Sequence, residues 1–409
     1  MKIGDFSLYS TYPPRSGGQS RIYNLNRELS NFFEVYQFSF IPSTLWLYNK
    51  ARVLRLLFSR PESDDFIMLL RPKEYRLGPR YVEYVHSNLF FIASSFAITM
   101  QWVNRLGSFV LDRNAMEKAS RALQSDIIQV EDVRAFRWVE RHRARRSLLV
   151  LIEHNVEYLL RSGYSKSRQY LRRLRETEKH ALDNADMVFV TSQNDLECLK
   201  RVYDVEDKKL LVVPNGVNCS GISIPTEEQK ETIKRLLGFS SKKVILFAGS
   251  LHPPNIDACR FILKMSRKIK NRDTIFVIAG GVGCKFRKGW LDNVYITGQV
   301  DNISHYFSMA DVAVNPMRFG SGTNLKVLEY LAHGLPVLST YFGIRGLTVE
   351  NGRHVVVSSL NDFHSSIDLL LNNKELCDRL SENGRKLVEA QYDWKIISTK
   401  VADIYRGFF

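Results

Sequence analysis

At roughly 150 residues per domain, a chain of 409 residues holds two or three domains, and its 44% hydrophobic and 25% charged content excludes collagen-like, disordered and fully membrane-embedded proteins. Lys and Arg number 58 against 43 Asp and Glu, a formal net charge of +15. The excess is spread over both halves, so it describes a generally positive surface rather than a basic tail, suited to anionic partners such as phosphorylated ligands, anionic lipid or nucleic acid.

Residues 2–8 read as a first strand, followed by a Pro/Gly loop and a helix from about Arg21 to Phe32. Residues 42–105 are rich in Arg and aromatics and show no clear period. Asp126–Val130, Leu148–Ile152 and Met187–Val190 are further apolar strands. A strand running into a turn at Val212-Val213-Pro214-Asn215-Gly216-Val217 marks the best domain boundary. Beyond it the alternation is regular: strands at 243–249, 274–281, 294–298, 312–316 and 335–340, with an amphipathic helix at 257–270. Near-continuous apolar strands alternating with helices predict parallel sheets covered on both faces, hence two doubly wound α/β domains. Ligands of such sheets bind at the carboxyl ends of the strands, so two facing domains would leave a cleft.

The most informative segment runs from Phe319 through Gly320-Ser321-Gly322-Thr323-Asn324-Leu325-Lys326-Val327-Leu328-Glu329 to Gly334 and Val337. It reads as a strand end, a glycine-rich loop and a helix starting near Thr323 or Asn324 and stopped by Gly334. Small residues let backbone approach an anion, and a helix N-terminus favours phosphate. Lys326 and Glu329 share a helix face, so a cation for phosphates stands beside a carboxylate for sugar hydroxyls; the alternative is a surface ion pair at i, i+3.

This segment resembles the nucleotide-sugar site of glycosyltransferase family 4 in its GSGT-x-x-K-x-L-E form. Other positions resemble the family in order and spacing: Pro13-Pro14 and Gly17-Gly18 after the first strand, Glu153-His154-Asn155-Val156-Glu157, Ala185-Asp186 before the strand ending Thr191-Ser192, Val213-Pro214-Asn215-Gly216-Val217, Phe247-Ala248-Gly249-Ser250-Leu251 with Pro254-Asn255, Gly298-Gln299-Val300 and Ala310-Asp311-Val312. The resemblance covers the chain apart from roughly residues 42–125. It implies a GT-B fold of two Rossmann-like domains facing a cleft: 1–210 on the acceptor side, 211–394 binding the donor, and a helix at about 395–409 packing back on the first. It also implies sugar transfer from a nucleotide sugar with retention, without bound metal or other cofactor. It places donor-binding roles on Gly17, Gly18, Gly249, Ser250, Asn255, Val300, Gly320, Ser321, Gly322, Thr323, Asn324, Leu325 and Glu329, and a role near the reacting centre on His154.

Two departures matter. The family often carries Glu-x7-Glu, but eight residues before Glu329 stands Ser321. Many members also have Arg and Lys in the loop after the first strand of the second domain, where this chain reads Gly249-Ser250-Leu251-His252-Pro253-Pro254-Asn255. Lys326 is therefore the expected cation for the diphosphate, and with His154 the expected catalytic pair. A second hypothesis, motivated by Ser321, is a non-catalytic nucleotide-sugar-binding relative. Nucleic acid is not expected as a partner, because no helix-turn-helix, zinc-finger or RNP-like pattern occurs.

Cysteines at 198, 219, 259, 284 and 377 show no CxxC pair and suggest a reducing cytosolic compartment. Met1–Pro14 reads as mature protein without a signal peptide, and the charge-free run Ser87–Asn104 is too polar for a transmembrane helix. Glu62, Asp64 and Asp65 read as a solvated loop rather than a metal site. Residues 46–60, with Arg52, Arg55 and Arg60 among apolar side chains, and residues 87–104 suit contact with an anionic bilayer surface. Such contact would fit a saccharide or lipid-linked acceptor at the inner face of a membrane.

Overall fold

The structure, a computed structural model, describes residues 1–14, 16–41, 73–85, 113–163, 165, 167–269, 271–320 and 322–409. Ser321, residues 46–60 and 87–104, and Glu62, Asp64 and Asp65 lie outside them. The chain divides into two compact units, Met1–Pro214 with Ser398–Phe409, and Asn215–Ile397.

The first unit contains β1 (Lys2–Tyr9), α1 (Gly17–Leu29), β2 (Glu34–Ile41), β3 (Lys73–Gly78), β4 (Tyr81–Val85), α2 (Arg113–Leu123), β5 (Ile127–Val130), α3 (Val133–His142), β6 (Leu148–Glu153), α4 (Glu157–Ser162), α5 (Arg168–Asn184), β7 (Met187–Val190), α6 (Gln193–Tyr203) and β8 (Leu210–Val212). Its strands are ordered β3-β4-β2-β1-β5-β6-β7-β8, with β3 antiparallel to β4 and the other pairs parallel. Ile3 lies opposite Ile127 and Phe6 opposite Val130. Phe6, Phe38, Phe40 and Trp138 form an aromatic centre on one face of this sheet.

α1 begins at Gly17, four residues before the start expected from the apolar period, because the Ser16 side chain caps it by accepting from the Gln19 N–H. Gly17 and Gly18 are thus helix first-turn residues rather than an open loop. A methyl group on Gly18 would lie 2.7 Å from the Tyr9 hydroxyl, so a larger residue there would displace the Tyr9 side chain.

The second unit contains α7 (Glu227–Leu236), β9 (Lys243–Ala248), α8 (Pro253–Met265), β10 (Thr274–Ala279), β11 (Gly289–Leu291), β12 (Val294–Gly298), α9 (Ser304–Met309), β13 (Val312–Asn315), α10 (Leu325–Ala332), β14 (Val337–Ser339), β15 (Val356–Val357), α11 (Phe363–Asn372) and α12 (Lys374–Gln391). The order is β11-β12-β10-β9-β13-β14-β15, with only β11 antiparallel among the described strands. Successive residues of a strand point to opposite faces. Val244 and Leu246 of β9 accordingly pack with Leu328 and Leu331 of α10, whereas Ile245 and Phe247 pack with Ala258 and Ile262 of α8. Prolines at the first positions of α8 fix its start at Pro253, earlier than the amphipathic pattern from 257 suggested.

A last helix, α13 (Trp394–Phe408), runs from the second unit into the first. Its Tyr405 is fully buried in the first unit, where the hydroxyl donates to Gln129 Oε1 at 2.6 Å and the ring stacks on Phe189. Among the described residues no helix is long and apolar enough to cross a membrane.

Candidate functional site

In the second sheet β9 and β13 are neighbours from which the chain winds off in opposite directions, to β10 on one side and β14 on the other. The crevice outside their carboxyl ends is where an open α/β sheet takes its ligand. The loops after β9 and β13 enter it, and they carry Gly249, Ser250, Gly320, Gly322, Thr323 and Asn324 among the residues singled out above. They differ in what they offer an anion. Pro253 and Pro254 remove two of the N–H donors from the first turn of α8. In the first turn of α10 the Val327 N–H donates to the Asn324 carbonyl at 3.0 Å, and Asn324 gives the Leu325 and Lys326 N–H groups no side-chain cap because its amide is turned to the Gly343 carbonyl at 3.0 Å.

The glycine-rich loop is held from behind. It passes through positive φ at Gly320 (145°) and Gly322 (61°). Arg345 donates to the Gly322 carbonyl at 2.7 Å and the Gly320 carbonyl at 3.4 Å, and Asn215 donates to the Thr323 hydroxyl at 2.6 Å. Across a planar peptide the N–H lies opposite the C=O, so the Thr323 N–H points away from Arg345. Leu325 packs into the core, so only its backbone is available to a ligand.

Lys326 does not pair with Glu329. Its Nζ donates to Asn255 Oδ1 at 2.6 Å and sits over the Phe247 ring at 4.4 Å, and no ion pair forms with it among the described residues. The surface ion pair that i, i+3 spacing allowed is therefore not the arrangement adopted. Burial lowers the Lys326 ammonium to about 8, with the Cys259 thiol and Glu329 pulling the other way. The Glu329 residue is exposed to solvent although protein lies close around its carboxyl. That surrounding protein raises the carboxyl to about 7, and Lys326 partly offsets the rise. Asn255 Nδ2 also donates to the Ser250 carbonyl at 2.9 Å, so Ser250, Asn255 and Lys326 form one connected set. Gly320 adjoins it, since a methyl group there would lie 3.5 Å from Pro254 Cγ. Val300 is half-buried, two residues beyond the end of β12.

In the first sheet the corresponding reversal falls between β1 and β5. The loop after β1 is anchored by buried Glu83 of β4, whose carboxylate accepts from the Thr11 N–H at 2.7 Å, the Thr11 hydroxyl at 3.1 Å and the Tyr12 N–H at 3.2 Å. His154 follows β6, and its Nε2 lies 2.6 Å from Glu131 Oε2 at the end of β5. Burial drives the imidazole down to about 3, with the Arg21 guanidinium adding to the effect. Burial likewise drives the Glu131 carboxyl up to about 7. His154 is therefore an uncharged ring at neutral pH, oriented by Glu131. The segment after it is fixed by Glu178, which accepts from the Glu157 and Tyr158 N–H groups at 2.6 and 2.9 Å.

Sequence reasoning missed Phe247, Arg345, Glu83 and Glu131. Phe247 reads as one more strand residue, and Arg345 follows no recognisable motif. Glu131 meets His154 because β5 and β6 are neighbours, and Glu83 meets the loop after β1 although β2 lies between β4 and β1. Asn215 stood within the Pro-Asn-Gly-Val element, but its spacing gave no sign of Thr323.

Two doubly wound units in tandem, each with its ligand loops at a strand-order reversal, are the GT-B architecture. The same fold occurs in sucrose-phosphate synthase from Thermosynechococcus elongatus, at 17% identity and a TM-score of 0.68 over 99% of both chains. It also occurs in Anabaena HepE in complex with UDP, at 12% identity and a TM-score of 0.67 over 100% of both chains. The sequence model of Glycosyltransferase Family 4 matches residues 16–220 and that of the Glycosyl transferases group 1 matches residues 242–373, so the chain belongs to the family 4 glycosyltransferases. YtcC of Bacillus subtilis (strain 168) is 25% identical over 257 residues, which are 56% of this chain and 62% of YtcC; the chain thus spans less than two thirds of that relative.

Proposed function

We propose that this protein is a retaining glycosyltransferase that moves a sugar from a nucleotide-sugar donor to a saccharide or lipid-linked acceptor, without a bound metal. Family membership supports the reaction class. The observation that carries the reading at the site is Lys326. A cation already desolvated, free of any carboxylate partner among the described residues, waits one residue into α10 beside the Gly320–Thr323 loop. Negative charge grows on the leaving nucleoside diphosphate as the glycosidic bond breaks, and a fixed cation aimed there lowers the barrier. The α10 N–H groups bind the same phosphates. Glu329, one turn on, accepts from the ribose hydroxyls of the donor. His154, uncharged and oriented by Glu131, contacts the donor sugar or acceptor as a neutral hydrogen-bonding group, not as an imidazolium acid.

The test is a thermal-shift and calorimetry screen with a panel of nucleotide sugars, followed by donor hydrolysis in the absence of acceptor. Binding with hydrolysis supports the reading. Binding without hydrolysis or transfer to any glycan acceptor favours the non-catalytic relative suggested by Ser321. A panel in which no nucleotide sugar stabilises the protein refutes both.

A further inference from the structure

The loop after β9 lacks the expected cations, yet Asn255, in the first turn of the helix α8 that follows it, makes a close contact with Lys326. Asn255 is almost wholly buried, and both ends of its amide are engaged: Nδ2 by the Ser250 carbonyl at 2.9 Å and Oδ1 by Lys326 Nζ at 2.6 Å. Gly249 presses against it, since a methyl group there would lie 3.1 Å from Asn255 Cγ. An amide whose donor is tied to its own loop presents its oxygen in one direction only. The Phe247 ring also holds the ammonium by its face, 4.4 Å from the centroid. A four-carbon stem that would otherwise sample many rotamers is thereby pinned at two points from a different helix and strand.

We propose that Asn255 is a positioning residue that acts on the donor diphosphate through Lys326, fixing where the ammonium stands and how strongly it keeps its proton, rather than by touching the donor itself. This rests on the assignment of Lys326 to the diphosphate. Asn255 replaces, by a neutral acceptor, the carboxylate that usually fixes a buried lysine. A carboxylate would neutralise the charge needed by the phosphates; the amide oxygen orients the ammonium and leaves its charge available. The other titratable groups facing the ammonium are the Cys259 thiol of α8, His252 before α8 and Glu329 on α10.

The experiment combines a direct titration with kinetics. Lysine-labelled protein, with the Lys326 resonance assigned by its loss in Lys326→Gln, gives the ammonium pKa by NMR for the wild type, Asn255→Leu and Asn255→Asp. Removing the acceptor should lower the value by about half a unit or more, and the carboxylate should raise it by about one unit or more. In the kinetics, the alkaline limb of kcat/KM for the donor should move in the same two directions. Asn255→Leu should cost about ten-fold or more in the wild type but less than about three-fold in the Lys326→Gln background, because the two act as one unit. The Asp variant keeps the volume of Asn and guards against a folding defect in Leu. Equal losses in both backgrounds, with an unmoved Lys326 titration, would show that Asn255 contacts the donor directly and overturn the proposal. If Asn255 sets the titration while Lys326→Gln leaves donor binding and turnover intact, positioning of the lysine stands and its assignment to the diphosphate falls.

Discussion

Replacing Lys326 by Gln should produce opposite effects on catalysis and on stability. At about 4 Å from a phosphate oxygen and an effective dielectric constant of about 20, one ammonium contributes roughly 4 kcal/mol of attraction. Losing it should cost about 2–4 kcal/mol at the transition state, or roughly 30- to 1,000-fold in kcat/KM. The cost of desolvating the cation, by contrast, is borne by the folded protein before any ligand arrives. The ammonium falls from 10.5 to about 8 on folding. At about 1.4 kcal/mol per pKa unit this is a destabilisation of order 3 kcal/mol wherever the lysine is charged in both states. Between the folded value near 8 and the unfolded value near 10.5 the unfolded chain binds more protons, so wild-type stability rises with pH across that window. Lys326→Gln lacks this titration and should be more stable than the wild type at pH 7, with the difference shrinking as pH rises towards 10.5. Urea denaturation of both proteins from pH 7 to 10.5, with donor kinetics at pH 7, measures the two effects. A loss below about three-fold in kcat/KM with the fold intact would show that other groups hold the diphosphate. A difference in stability that stays flat across the pH window would refute the account of a desolvated lysine.

Glu329→Ala should weaken donor binding by about ten-fold or more, since hydrogen bonds to a charged group contribute roughly 1.5–3 kcal/mol. Because the carboxyl is raised to about 7, calorimetry should find wild-type donor affinity falling as pH drops through that value, and the variant should lose this dependence. His154→Ala should lower turnover far more than nucleotide affinity, and the wild-type profile should show no limb from His154 between pH 5 and 8 because its ring is already neutral; wild-type turnover in the variant would return His154 to a structural role. Replacing Arg52, Arg55 and Arg60 by Gln should reduce co-sedimentation with anionic liposomes, and the binding should fall with salt. Equal sedimentation with neutral and anionic vesicles would leave a soluble acceptor.

β9 and β10 of the second unit were legible because each is a buried apolar run that closes at a glycine, Lys243–Ala248 before Gly249 and Thr274–Ala279 before Gly280. α8 was misjudged at its start because two prolines look like a loop, although they are favoured in a first helical turn. The hairpin of β3 and β4 lay inside the stretch that showed no period. Its Glu83 would ordinarily mark an exposed face, yet the carboxylate is buried to hold the loop after β1. At the candidate site, the sequence pointed to Lys326 and Glu329 but left open a pair between them. What decides against it is a contact with Asn255, seventy-one residues away in the chain. Spacing along a helix tells which side chains can meet on that helix; it carries no information on an acceptor brought in by another helix, here Asn255 of α8.

The terminal helix has a consequence for how the protein can be made. Ser398–Phe409 belongs to the first unit, and Tyr405 plugs its interior between Gln129, Phe33 and Phe189. Emerging from a ribosome, the first unit cannot complete its core when residue 214 appears. It must wait, with that aromatic socket open, until the whole second unit has been synthesised. Expressed as residues 1–214 alone, it should be prone to aggregation, and a peptide spanning α13 supplied in trans should rescue it.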